Sequence, residues 1–232
     1  TDTALVGRLT FAGSTTIQPL IAKIGDTFQK NNPQVDLDIA AGGSVVGIQA
    51  IHDGTVDIGM ASRALTTDEA QGITQHQIAT DVIAVVVHLD NPVQNLTLEQ
   101  LRSIYMGQIT NWKEVGGPDE TIIPVAREKS SGTRGAFAEL VLDKQDPAAP
   151  NLHSAVTAGD VVAFVKDNSA AIGYIGFGNL EANVKTLKID AVLPSEETAL
   201  QGVYPLTRPL LLLTGPLSQP LANIFLDFVL SS

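Results

Sequence analysis

Cysteine is absent from the chain. That excludes disulfides, thiolate nucleophiles and cysteine-based zinc sites, and it leaves the compartment open. Histidine is scarce: His52, His76, His88 and His153 stand apart, without the short spacings a metal site uses. No apolar run approaches the ~20 residues needed to cross a bilayer. The longest, Val82 to Leu89, has the length of a strand. Charge is sparse at 17 %, and its basic part is sparser, with 14 Lys and Arg against 25 Asp and Glu. The resulting net charge of −11 makes nucleic acid and anionic membrane poor partners for the surface as a whole. An anion site on such a chain has to be a local exception, built from a few well-placed donors.

What is present is the balance of a folded protein: 44 % hydrophobic residues over 232 positions, enough for one large domain or two small ones. Leu9 to Ala12 reads as a buried strand running into Gly13-Ser-Thr-Thr16. Ile17, Leu20, Ile21, Ile24 and Phe28 then repeat as one face of a helix, which Asn31-Asn-Pro33 stops. Val35 to Ile39 alternates as a strand and ends in Ala41-Gly-Gly-Ser44. A second helix with Val46 to Ile51 follows, then a strand, Val56 to Met60, ending in Ala61-Ser-Arg63. Strand, loop and helix in alternation imply a mostly parallel sheet with helices on both faces. Ligands of such sheets sit beyond the carboxyl ends of the strands. The three loops, GSTT, GGS and ASR, should therefore converge.

Beyond a long strand, Thr80 to Leu89, the pattern restarts. It predicts a helix at Leu98 to Tyr105, a turn through Asn111-Trp112 and a strand at Ile122 to Ala126. A helix packing Phe137, Leu140 and Val141 comes next, then a helix at Asp160 to Val165 and a strand at Ala171 to Ile175. Tyr204 to Leu213 is again strand-like, and Leu221, Ile224, Phe225, Phe228 and Val229 line a last helix. Two α/β units joined by two long strands predict two lobes. The first holds residues 1–88 and 203–232, and the second, residues 89–202, is inserted into it.

Between the Ile122 strand and its helix stands REKSSGTRGAF, residues 127–137. Ser130 or Ser131 can cap the helix, and Gly132 lets a ligand approach the backbone. The first amides of a helix lack internal partners and carry about half a positive charge. An oxyanion there can accept from backbone N–H groups and from the Ser131 and Thr133 hydroxyls, while Arg127 adds a bidentate fork. A plain capped helix would explain each such loop taken singly. Four strand-end loops rich in Ser, Thr, Gly and Arg ask for more. They offer donors without a metal site, a nucleotide loop or a general base, so their natural guest is a tetrahedral oxyanion. A hydrolase using Ser131 or Ser44 as nucleophile would need a base within reach, yet no histidine lies in any loop and there is no G-x-S-x-G elbow.

The order of AGSTT, GGS, DIGMASR, LTLEQLRSIYMGQITNWKEVGG, REKSSGTRGAF, AIGYIGFG and YPLTRPLLL closely resembles the PstS-type phosphate-binding proteins of phosphate ABC transporters. The resemblance spans nearly the whole chain and is strongest around ITNW and SGTR. It implies a type II periplasmic-binding-protein fold, two lobes joined by crossing strands, with phosphate held in the cleft between them. It implies a non-enzymatic, monomeric receptor, periplasmic or extracellular with a lipid anchor as one variant, that hands phosphate to a membrane permease without cofactor or metal. Thr1 looks like the start of a mature or trimmed chain. Carried over by motif, Ser14 and Thr15 donate from the first loop, Ser44 from the second, and Ser62 and Arg63 from the third. Arg127, Ser130, Ser131, Gly132 and Thr133 come from the other lobe, Arg134 pairs with a carboxylate, and Asn111-Trp112 and Gly173-Tyr174 are structural. One departure stands out. The longer branch of the family places a proton-accepting aspartate where this chain has Arg63, so discrimination against sulfate must come from another carboxylate, with Asp57 and Glu128 the candidates, or be weaker. A receptor for sulfate or molybdate and a phosphate-sensing module remain the alternatives.

Overall fold

Residues 4–231 are described by a computed structural model. In chain order the elements are β1 (Val6–Gly13), α1 (Gln18–Asn31), β2 (Gln34–Ala41), α2 (Ser44–His52), β3 (Ile58–Ala61), β4 (Thr74–Val87), β5 (Asn95–Leu96), α3 (Leu98–Tyr105) and β6 (Ile123–Arg127). There follow α4 (Gly132–Val141), β7 (His153–Ala155), α5 (Ala158–Asp167), β8 (Ala171–Gly176), β9 (Lys185–Thr186), β10 (Lys188–Ile189), α6 (Glu196–Leu200), β11 (Thr207–Thr214) and α7 (Pro220–Leu230). The chain divides into two compact units. The first runs through Thr80, takes in Ser130–Gly132 and resumes at Pro209; the second holds Asp81–Lys129 and Thr133–Arg208. The breaks at 80/81 and 208/209 fall inside β4 and β11, which therefore each pass from one unit to the other.

In the first unit β1 pairs in parallel with β2 and with β3, and β11 runs antiparallel beside β3. Alternation along β1 turns Leu9 and Phe11 inward, where both are fully buried. They meet Ile17, Ile21 and Phe28 of the α1 segment and Leu221, Ala222 and Phe225 of α7. Phe225 makes edge-on contacts with Phe11 and Phe28, each with ring centroids 5.1 Å apart; such pairs add ~0.5–1.5 kcal/mol to the burial itself. A separate cluster seats Ile48 and Ile51 of α2 on Ala61, Leu211 and Leu213. Helices on both faces leave the loops after β1, β2 and β3 as the open carboxyl edge.

In the second unit β6 is flanked in parallel by β7 and β8, and β8 runs antiparallel to β4. One face packs Ile83, Val85, Ile172 and Tyr174 with Tyr105 and Phe137. The other packs Val86, Val125 and Ile175 on Val161, Val162 and Val165 of α5. Trp112, fully buried, donates its indole N–H to the Ala170 carbonyl at 2.9 Å, and Asn111 caps the 3₁₀ turn that begins there.

Several bounds differ from the sequence expectation. β4 begins at Thr74, six residues before Thr80, because its first half is half-exposed and carries polar residues such as His76, whose ring bonds Thr214. β11 begins at Thr207, and the strand-like Tyr204-Pro-Leu stretch before it is irregular. β7, α6 and the two-residue strands are too short to leave a periodic signal.

Candidate functional site: an oxyanion-binding donor set

The three loops of the first unit meet. Ser14 Oγ donates to Ser62 Oγ at 2.9 Å, the Ser62 amide donates to Ser44 Oγ at 3.0 Å, and the Ser44 and Ser62 hydroxyls lie 3.4 Å apart. All three serines are buried, at 2 %, 0 % and 1 % exposure, in a position where hydroxyls without partners would be costly. The backbone ties the loops as well: the Ser14 amide reaches the Met60 carbonyl and the Gly43 amide the Gly13 carbonyl, both at 2.9 Å. Gly13 takes φ +137, and a side chain there would strike the Met60 carbonyl oxygen at 2.2 Å. Thr15, half-exposed, follows in the same loop.

Residues 130–132 join this group. The Val45 amide donates to the Ser130 carbonyl at 3.1 Å. A Cβ added at Gly132 would lie 1.9 Å from Ser44 Oγ and 2.6 Å from Ser62 Oγ. Only glycine admits that approach. Ser131 is 3 % exposed.

Neither α1 nor α2 uses a side chain to cap its first turn: the cap positions are Ile17 and Gly43, and neither supplies a bond. By contrast α3, α5 and α6 all carry reciprocal capping boxes, from Thr97 with Gln100, Thr157 with Asp160, and Ser195 with Thr198. In the first loop the Ser14 hydroxyl both accepts from the Thr16 amide at 3.2 Å, a local turn bond, and donates across to Ser62.

The second unit contributes charge. Arg127 ends β6 with its side chain fully buried, and its Nη2 donates to the Val156 carbonyl at 2.6 Å. Burial lowers its pKa, and the charges of Tyr174, Glu128 and Asp160 oppose that shift. Its backbone amide donates to the Tyr174 hydroxyl at 3.2 Å. Tyr174, buried and with its pKa pushed up to about 12, stacks on Phe137 of α4 at 3.9 Å. The Tyr105 hydroxyl bridges the carbonyls of Val125 and Ile172. These aromatics hold the end of β6 and the start of α4 in one rigid frame. Thr133, 1 % exposed, stands in the first turn of that helix.

Two other arginines have different posts. Arg134 donates to the Arg127 carbonyl and to Asp146, at 2.9 and 2.6 Å, as expected of a residue that orients its loop. Arg63 turns along its own loop: Nη1 and Nη2 grip the two Glu69 oxygens at 2.8 and 2.7 Å, and Nη1 also reaches the Ala64 carbonyl. The guanidinium holds the Glu69 carboxyl down at about 2. The guanidinium is thus directed to Glu69, while the Ser62 hydroxyl and amide before it are directed to Ser14 and Ser44. Asp57 is likewise occupied, with Oδ2 accepting from the Thr10 amide at 2.9 Å and the Thr10 hydroxyl at 2.8 Å. Glu128, half-buried, lies close enough to Arg127 to support its charge.

The sequence reading did not include a buried ion pair between Asp81 and Arg208. Arg208 Nε and Nη2 both reach Asp81 Oδ2, at 3.1 and 2.8 Å. The partners are 127 positions apart. Their only signal in the sequence is a charge at the polar end of each long apolar strand.

A profile of the PBP superfamily domain matches residues 1–232. The Phosphate-binding protein PstS of Bacillus subtilis is 34 % identical over 229 residues, which cover 97 % of this chain and 76 % of that protein. The chain belongs to the PstS family. Among solved structures, a putative phosphate ABC transporter substrate-binding protein with bound phosphate from Clostridium perfringens superposes with a TM-score of 0.93 at 37 % identity, covering 96 % of this chain and 93 % of that one. An ABC-type phosphate transport receptor from Vibrio cholerae gives 0.80 at 33 % identity, with the same coverage. The α/β fold expected from the sequence is accordingly the type II periplasmic-binding fold of these PstS relatives.

Proposed function

We propose that the protein binds inorganic phosphate as a non-enzymatic receptor outside the cytoplasmic membrane and delivers it to an ABC permease. The observation that carries this reading is the junction of Ser14, Ser44, Ser62 and Gly132, where three strand-end loops and the SSGT loop bring small donors to one point. Ser14, Thr15, Ser44, Ser62, Ser130, Ser131 and Gly132 supply neutral donors in the first unit, and Arg127 and Thr133 supply a counter-charge and a hydroxyl in the second. Arg63 is kept out of that set because Glu69 holds its guanidinium. The names of the relatives, with phosphate bound in one, favour phosphate over sulfate or molybdate.

Donors of this kind suffice. Micromolar affinity needs about −8 kcal/mol, and charge-assisted hydrogen bonds contribute ~1.5–3 kcal/mol each. His52 bonds the Glu69 carbonyl, His76 bonds Thr214, His88 receives the Asp90 amide, and His153 stacks on Phe164. Among the described residues no helix is long and apolar enough to cross a membrane. Isothermal titration of the purified protein with phosphate tests the reading. Saturable one-to-one binding at micromolar levels is expected, and no heat at millimolar phosphate overturns it.

A further inference from the structure

The Arg127 guanidinium is anchored to a turn that lies outside the donor set. Its Nη2 donates to the carbonyl of Val156 at 2.6 Å. Strand register brings the two residues together: β7 runs parallel to β6 with Ala155 opposite Arg127, and the Glu128 amide donates to the Ala155 carbonyl at 3.1 Å. β7 ends at Ala155 and α5 begins at Ala158, so Val156 and Thr157 form the whole connection. All of these residues belong to the second unit.

A reciprocal box closes that connection. The Thr157 amide donates to Asp160 Oδ2 at 2.8 Å, and the Asp160 amide donates to the Thr157 hydroxyl at 3.0 Å. Hydrogen bonding from Thr157 holds the Asp160 carboxyl below its ordinary value, and the Arg127 charge and the Val156 amide push the same way. Behind the box, Ala158, Val161, Val162 and Val165 seat α5 on Val125 of β6 and Ala155 of β7. The turn thus rests on a packed helix and is clasped by the exposed Asp160. The box of α3 uses the same chemistry for a different end. There the carbonyl before the cap, that of Leu96, accepts from the Asp190 backbone amide; before the cap of α5 the carbonyl accepts from the arginine.

We propose that Asp160 is a positioning residue for oxyanion binding: by clasping the Val156–Thr157 turn it holds the Val156 carbonyl against Nη2 and so fixes the plane of the Arg127 fork. This rests on the phosphate reading above, in which Arg127 is the counter-charge. A guanidinium is flat and its N–H groups leave at set angles, so one anchored N–H decides where the others point. An acceptor that drifts lets the plane turn, and a charge-assisted bond weakens steeply once its donor is misaligned. The carboxylate's own charge works the other way. A negative group near an anion site repels the ligand, so charge alone predicts tighter binding when Asp160 is removed. Positioning predicts weaker binding.

Isothermal titration of the full chain with inorganic phosphate, beside a thermal melt, tells the two apart. Asp160→Ala should weaken phosphate binding about fivefold, the size of a lost helix cap. Asp160→Glu, which closes the same box with the residue that capping boxes favour, should bring affinity back to within about twofold of the parent. Thr97→Ala breaks the α3 box and should lower the melt by a similar amount with affinity unchanged. In an Arg127→Met background Asp160→Ala should alter affinity by less than about twofold, because the group it positions is gone. Thr157→Ala opens the box from its other side and should reproduce the loss; it stands in if Asp160→Ala fails to fold. Tighter or unchanged binding by a folded Asp160→Ala, or the same loss in both backgrounds, overturns the inference. A parent protein that binds no phosphate overturns the functional reading instead.

Discussion

The two units offer an anion different things. The first presents hydroxyls and amides, neutral and bonded among themselves in a buried serine network. The second presents a fully buried guanidinium framed by aromatic rings. Neutral donors set geometry, because each points along one bond and none adds long-range pull. A buried cation sets strength, because its field acts in a low-dielectric setting and its desolvation has already been met in folding. An acidic protein needs both: a field to overcome a net charge of −11, and a shape that admits only a small ion.

Removing the charge should do the most damage. Arg127→Met keeps the bulk of the buried stem, so phosphate affinity should fall at least a hundredfold, about 3 kcal/mol, with the fold intact. Titration calorimetry beside a thermal melt checks it; a loss below tenfold would mean that neutral donors carry the binding. Gly132→Ala attacks the geometric side. Its methyl would sit 1.9 Å from Ser44 Oγ, so the loop has to shift, and phosphate affinity should fall at least tenfold while Arg127 stays in place. An unchanged affinity would show that the serine cluster does not need the SSGT loop beside it.

A milder variant sharpens the contrast between helix starts. Thr97→Ala removes the capping box of α3, so the protein should lose about 1 kcal/mol of stability with phosphate affinity unaltered. Ser44→Ala, at the uncapped start of α2, should show the reverse balance, weaker binding with little change in melting. Denaturant titration and calorimetry on both proteins would expose any mixing of the two roles.

The fold was legible where a single period ruled. The first three βα units announce themselves because Ile17, Ile21 and Phe28 repeat at helical spacing and Leu9 and Phe11 at strand spacing, and each such residue is buried where expected. The meeting of Ser14, Ser44 and Ser62 followed from strand-end logic alone. The early half of β4 was hidden because half-exposed His76 and exposed Gln77 do not look like a core strand. Asp81 with Arg208 was hidden for a deeper reason. Pairing across 127 positions depends on how two long strands lie beside one another, and no local pattern encodes that. The direction of Arg63 was equally out of reach, since Glu69 six residues on looks like any surface acid until the loop is folded.

That last pair supplies the smallest effect, and it separates a structural arginine from a binding one. Glu69 titrates at about 2 in the folded protein, against an ordinary value of 4.5. A carboxylate whose folded value is depressed contributes stability above its unfolded value and loses it as pH falls through the folded one. Glu69→Gln should therefore destabilise the protein modestly at pH 6 and flatten the decline in melting temperature between pH 4.5 and about 2. Arg63→Gln should give the same flattened acid limb, because it removes the other half of the pair. Phosphate affinity at pH 7 should change by less than about threefold in either variant, within the small range of a partly exposed ion pair. If Arg63→Gln cost as much binding as Arg127→Met, the first unit would be supplying charge as well as shape, and the division of labour between the two units would fail.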